Sequence, residues 1–178
     1  MSRFIGLLIL AALTPAPGAA QDIPATSLVP GEAVRAQIND SGRATPVERL
    51  QAEWSAFDVY AARHLTGMPV PEAPVTEGLP ISTGPGGPTP QPIPSGEVRM
   101  KVLSIAGRHT LLVVENGLPR AIAYRARMTV SGRSRSTDVC VVMPGLPSYE
   151  HWPHPIERIE LSDFRYVPWQ PGQRPTCE

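Results

Sequence analysis

The sequence predicts an all-β sandwich preceded by one α-helix, and three observations predict it. From residue 97 onward apolar and polar residues alternate with period two, as half-buried strands require. Turn signals such as Asn116-Gly117 and Ser131-Gly132 divide that region roughly every ten residues, with no helical pattern between them. The prolines, 22 in 178 residues, crowd ahead of this region and mark it off.

Residues 1–20 read as a signal peptide. Arg3 supplies the positive start, residues 4–13 are an uncharged apolar run, and the small residues Gly18 and Ala20 stand where a signal peptidase reads. The run falls well short of the ~20 residues that cross a bilayer. The expectation is bacterial-type export to the periplasm or medium, with a mature chain from Gln21 and no transmembrane span once the signal is cleaved.

Residues 21–44 show no sustained period and are broken by Pro24, Pro30 and Gly31. They read as a flexible leader with a short extended piece able to pair with the main domain.

Residues 45–66 are predicted as an amphipathic helix. Thr45-Pro46-Val47-Glu48 combines an N-cap, a proline at the first helical position and the glutamate of a capping box. Val47, Leu50, Trp54, Phe57 and Ala61 follow at steps of three and four and form one apolar stripe. A lone helix of this length is marginal in water, so the stripe needs a partner. The candidates are the chain's own β domain, a second copy of the helix, or another protein or membrane surface.

Residues 67–96 are predicted as a Pro/Gly-rich linker, since nine of the residues from 68 to 96 are proline and five are glycine. Such a segment buries too little apolar surface to offset its ordering entropy. Thr89-Pro-Gln-Pro-Ile-Pro94 favours polyproline II, which suits a semi-stiff spacer or a ligand for a proline-recognising partner.

Residues 97–178 are predicted as the sandwich domain, with strands over 97–106, 109–115, 120–130, 136–143 and 156–167. The third is the clearest: Ile122, Tyr124, Ala126, Met128 and Val130 share one face, while Arg125, Arg127 and Thr129 share the other. In the last strand the apolar phase switches between Leu161 and Phe164, which predicts a β-bulge near Ser162-Asp163. Residues 144–155 are expected to be a proline-punctuated loop. An immunoglobulin-like sandwich of about five to seven strands accounts for this pattern if the leader or tail adds one or two. The Cys-Trp-Cys arrangement of antibody domains is absent.

Cys140 and Cys177 are the two cysteines, and neither belongs to a C-x-x-C pair. In an exported chain they predict a disulfide that ties the tail over the sheet. The chain-entropy argument gives such a cross-link about 4 kcal/mol before any strain.

Charge is balanced at 16 basic and 16 acidic residues, so no whole-chain field draws the protein to nucleic acid. It separates along the chain, however. Residues 21–96 hold four arginines against eight acids (net −4), and residues 97–178 hold eleven basic residues against eight acids (net +3). Helix and sheet should therefore attract weakly.

Candidate chemistry gathers in residues 144–155. His151 and His154, with Glu150 beside them and Met143 upstream, are candidate ligands for copper or zinc. Pro153 and Pro155 bracket His154, so the two rings need not converge. The competing reading is a scaffold loop in which Tyr149 and Trp152 pack down. Tyr149, Glu150, His151, Trp152 and His154, together with Arg125 and Arg127 on their strand face, form the candidate partner or ligand surface. No nucleophile elbow and no glycine-rich phosphate loop after a strand is present. No catalytic residue is assigned. The sequence thus favours an exported, non-enzymatic interaction or accessory module that meets an envelope protein, or a second copy through the helix of residues 45–66. The alternative is a periplasmic metal-binding protein using His151 and His154.

Overall fold

The computed structural model describes residues 23–39, 44–45, 47–71 and 87–178. The expected signal peptide, and residues 72–86 within the expected linker, lie outside them.

Two antiparallel sheets pack face to face with one helix on the outside. In chain order the elements are β1 (Thr26–Leu28), β2 (Glu32–Gln37), β3 (Glu48–Gln51), α1 (Ala56–Thr66), β4 (Glu97–Ile105), β5 (His109–Asn116), β6 (Ala121–Val130), β7 (Arg133–Thr137), β8 (Pro147–Trp152) and β9 (Arg158–Val167). The first sheet has the order β1-β9-β6-β7 and the second β3-β2-β4-β5-β8. Among the described residues no helix is long and apolar enough to cross a membrane.

The main core lies between the sheets. Val98, Met100 and Val102 of β4 and Leu112 and Val114 of β5 meet Ile122, Tyr124, Ala126 and Met128 of β6 and Ile159, Leu161 and Phe164 of β9 there. The alternate residues of β4 and β5, Leu103, Ile105, Leu111 and Val113, face the other way and pack with Ala62 of α1 and with Val70. Around the β4–β5 hairpin the second sheet is therefore covered on both faces, which explains the nearly unbroken apolar runs there. Ala62 is the buried apolar residue through which the helix meets this sheet, with Val59 partly buried beside it, while Tyr60 and Leu65 stay exposed.

The leader supplies two strands. β1 pairs with β9 and β2 pairs with β4, so residues before 44 complete both sheets. The helix expected from Thr45 starts ten residues later. Residues 48–51 form β3, in register with Glu32–Arg35 of β2. Thr45 serves β2 instead, its Oγ1 accepting the Gln37 N–H at 3.1 Å. A second capping box, Ser55-x-x-Asp58, begins the helix: Ser55 Oγ accepts the Asp58 N–H at 3.1 Å, and Asp58 Oδ2 accepts the Ser55 N–H at 2.7 Å. Gly67, with φ 68°, closes it in the left-handed conformation. Strand pairing overrode the first helix signal because β2 offered a partner ladder that only an extended 48–51 could complete.

Two further differences concern the C-terminal half. The strand expected over 136–143 ends at Thr137, and beyond it Cys140 and Val142 make isolated bridges to Cys177 and Ile122. The loop expected over 144–155 contains β8, paired with β5 through residues 147–152. Prolines permit this because β8 is an edge strand, with Pro147 at its start and Pro153 beyond its end. The bulge in β9 is present. The β6–β9 register shifts between Ala123 and Arg125, and Asp163 takes φ 54°. Ser131 and Gly132, at φ 50° and 72°, make the two-residue turn joining β6 to β7. The disulfide joins Cys140 to Cys177. Backbone bonds between Val139 and Glu178, in both directions at 3.0 Å, hold the tail beside it.

Candidate functional site

The outer face of the second sheet carries a ladder of alternating charges that ends beneath α1. β4 places Arg99 and Lys101 on this face, in step with Leu103 and Ile105. Arg35 of β2 pairs with Glu48 of β3 and approaches Glu97 at 4.0 Å. Arg99 pairs with Glu97 and lies 3.4 Å from Glu115 of β5. Lys101, the chain's sole lysine, lies 3.7 Å from Glu115 and 2.6 Å from Asp58 of α1. Its Nζ also donates to the Glu53 carbonyl at 3.3 Å.

Asp58 joins helix and sheet. Its Oδ2 accepts from Ser55 N–H and Lys101 Nζ, and its Oδ1 accepts the Tyr149 hydroxyl at 2.9 Å. The side chains of Lys101 and Asp58 are 8% and 1% exposed, so each charge depends on the other for solvation. Burial, reinforced by the negative charges of Asp58 and Glu115, holds the Tyr149 hydroxyl far above its ordinary range. Tyr149 therefore stays protonated and acts as a donor to Asp58.

Beside this network is a cavity of about 190 Å³ between α1, the sheet and residues 90–93. Trp54, Phe57, Tyr149, Pro90 and Ile93 are among its walls, and Arg99 reaches it from below. Phe57 lies 5.8 Å from Tyr149 and 5.9 Å from Tyr60 between ring centroids, and Tyr60 stacks on His64 at 6.3 Å. Phe57, Tyr60 and His64 thus follow one another along the helix, and Tyr149 of β8 extends the row at the Phe57 end. Tyr60, 43% exposed, opens it to solvent.

β8 splits the residues expected to act together in residues 144–155. Successive strand residues face opposite ways, so Tyr149 and His151 face the helix side while Glu150 and Trp152 face inward. Trp152 is buried in the main core, and its indole N–H donates to Thr137 Oγ1 at 2.9 Å. Glu150 Oε1 accepts the Cys140 N–H at 2.7 Å. Burial raises the Glu150 carboxyl above its ordinary range, opposed by its bonds from Cys140 and Ser148.

His151 meets His109, a residue the sequence did not single out. His151 Nε2 and His109 Nδ1 are 2.8 Å apart, one donating to the other, and the rings stack at 5.1 Å. Burial, then the neighbouring His109 and His154, lowers the His151 pKa. The His154 carbonyl accepts from Thr110 Oγ1 at 3.2 Å, while its Nε2 is buried without a hydrogen-bond partner among the described residues. Among the described residues no group of three or more His, Cys, Asp or Glu side chains is placed to hold a metal ion.

Arg125 and Arg127 lie on the outer face of the other sheet, away from the cavity. Arg125 is 3.7 Å from Asp163, and Arg127 stands opposite Glu160 on β9. Arg133 and Arg135 stand opposite Val130 and Met128, in the register of the inward-facing residues. The arginines therefore do not share one face.

Asp58, Lys101, Arg99 and Glu115 escaped the sequence reading. The available signal was the alternation in β4, which puts two cations on a face that turns apolar at Leu103 and Ile105. No family model, curated protein or solved structure matches the chain.

Proposed function

We propose that the chain is an exported, non-enzymatic interaction module, acting in the periplasm or outside the cell, that meets an envelope protein through the face shared by α1 and β8. We read the sandwich as immunoglobulin-like and residues 72–86 as part of the linker. The disulfide supports the oxidising compartment. One observation carries the choice of face: α1 and β8, the two segments from which partner contact is expected, adjoin through Phe57 and Tyr149 and leave the row of rings to Tyr60 open. Rigid aromatic side chains supply large contact area at low entropic cost. The charge network beneath argues the same way, because Lys101, Asp58 and Tyr149 are engaged with one another in holding the helix. The test is a photo-crosslinking residue placed in living cells at Tyr60 and, separately, at Arg127. Adducts to an envelope protein should form from position 60 and not from position 127. Adducts from neither, or from 127 alone, would remove this reading.

A metal-binding function is the second reading, and the His109–His151 pair is what favours it. Two imidazoles on a tetrahedral ion, with bonds of about 2.0–2.1 Å, place their nitrogens about 3.3 Å apart. The observed 2.8 Å is about half an ångström short of that. Equal copper and zinc uptake by the natural chain and His109→Ala/His151→Ala, measured by equilibrium dialysis, would exclude it.

A further inference from the structure

Residues 87–94, Gly-Pro-Thr-Pro-Gln-Pro-Ile-Pro, alternate proline with other residues and lie along the row of rings. At one end Gly87 sits against Tyr60: a Cβ added there would stand 3.1 Å from the ring. In the middle Pro90, Gln91 and Ile93 share the cavity with Trp54, Phe57 and Tyr149. At the far end the Pro94 carbonyl accepts the Glu97 N–H at 3.2 Å, where β4 begins. The segment is lightly held, since Thr89, Pro90, Gln91, Pro92 and Pro94 are all exposed. Arg99 also lines the cavity, and its Nε is buried without a hydrogen-bond partner among the described residues.

We infer that the aromatic face of Trp54, Phe57, Tyr60 and Tyr149 is a polyproline-recognition site, that residues 87–94 cover it in cis and so form the outer wall of the cavity, and that its functional occupant is a proline-rich extended segment of the partner protein. The inference rests on the interaction-module reading and names the chemistry of the partner. Aromatic grooves suit polyproline II because that helix is preformed and loses little entropy on docking. Polyproline II also makes no internal hydrogen bonds, so its carbonyls are free to accept from donors at the groove. The chain's own segment shows which peptide chemistry the groove accepts. As a tethered occupant it competes with an incoming one at an effective concentration on the order of millimolar.

The test uses the mature chain with Pro88, Pro90, Pro92 and Ile93 changed to Gly or Ser, and Pro94 retained because its carbonyl anchors the start of β4. The probe is a synthetic peptide of residues 87–95, followed by tryptophan fluorescence and calorimetry. The expected result is saturable binding at least tenfold tighter than to the natural chain. Tyr60→Ala should weaken it at least tenfold, and a peptide with its prolines replaced by serine should not bind. A folded variant that fails to bind, or binds the serine peptide equally, overturns the inference. If the fourfold variant does not fold, Pro88→Gly/Pro90→Gly replaces it, with binding tighter than to the natural chain expected and unchanged or absent binding overturning the inference. Crosslinks from Tyr60 in cells without peptide binding would refute the proline specificity alone, whereas their absence would refute the interaction face.

Discussion

Removing either member of the Asp58–Lys101 pair should destabilise the fold strongly, and removing both should cost less than the sum. The two side chains are 1% and 8% exposed and 2.6 Å apart. Truncating one partner of a buried ion pair leaves the other charged in a poorly solvated place, at a cost of about 3–5 kcal/mol. Lys101→Met falls at the low end, because Asp58 keeps donors from Tyr149 and Ser55. Asp58→Ala falls at the high end. It also removes half of the capping box, about 1 kcal/mol, and leaves Lys101 with Glu115 at 3.7 Å and the Glu53 carbonyl. In Asp58→Ala/Lys101→Met no charge is stranded, so the pair should show a coupling of about 2–3 kcal/mol. Urea unfolding of the disulfide-intact chain from Gln21 onward, followed by circular dichroism and tryptophan fluorescence, measures all three variants. Single substitutions costing under about 1 kcal/mol, with additive effects, would refute the argument that this pair fastens α1 to the sheet.

Three other expectations follow from particular contacts. Glu150 is raised by burial, so folding favours its protonated form. Its contribution is present below the ordinary carboxylate range and lost as pH rises through the raised value. Glu150→Gln should therefore gain stability relative to the natural chain between pH 4 and pH 7 in urea titrations, and a relative loss would contradict this. His151 is lowered, by burial first, so folding favours its neutral form, and the natural chain should lose stability as pH falls below about 6.5. His151→Gln should flatten the fall in melting temperature between pH 7.5 and pH 5, and an unchanged slope would exclude His151 as its source. Gly117→Ala would set a Cβ onto the Pro94 carbonyl and within 2.8 Å of the Glu97 carbonyl, both backbone atoms. It should cost about 1–3 kcal/mol in thermal unfolding, whereas a neutral effect would mean the chain yields there.

Much of the sheet was legible because its alternation is local. Arg125 and Arg127 stand out from a strand whose other face is buried, and the phase slip at Ser162-Asp163 located the bulge without any tertiary information. The pairing of Cys140 with Cys177 followed from the count of two cysteines and the expectation of export. What escaped depends on partners distant in sequence. Thr45-x-x-Glu48 and Ser55-x-x-Asp58 are both capping boxes, and only the ladder offered by β2 decides that the second begins the helix. Residues 147–152 look like a loop because prolines flank them, yet β5 has an open edge that takes them as a strand. That strand in turn separates Glu150 from His151 and brings His151 to His109, 42 residues away. Nothing local marks Lys101 as buried, because its partner Asp58 is 43 residues away in the chain.

The interaction reading is tested most directly by the native mass and metal content of the protein recovered from the cells that make it. A metal-free chain in an assembly larger than one copy, linked through position 60 to a proline-rich envelope protein, is the predicted result. A lone chain carrying stoichiometric copper or zinc would contradict it and move the His109–His151 pair to the centre of the account.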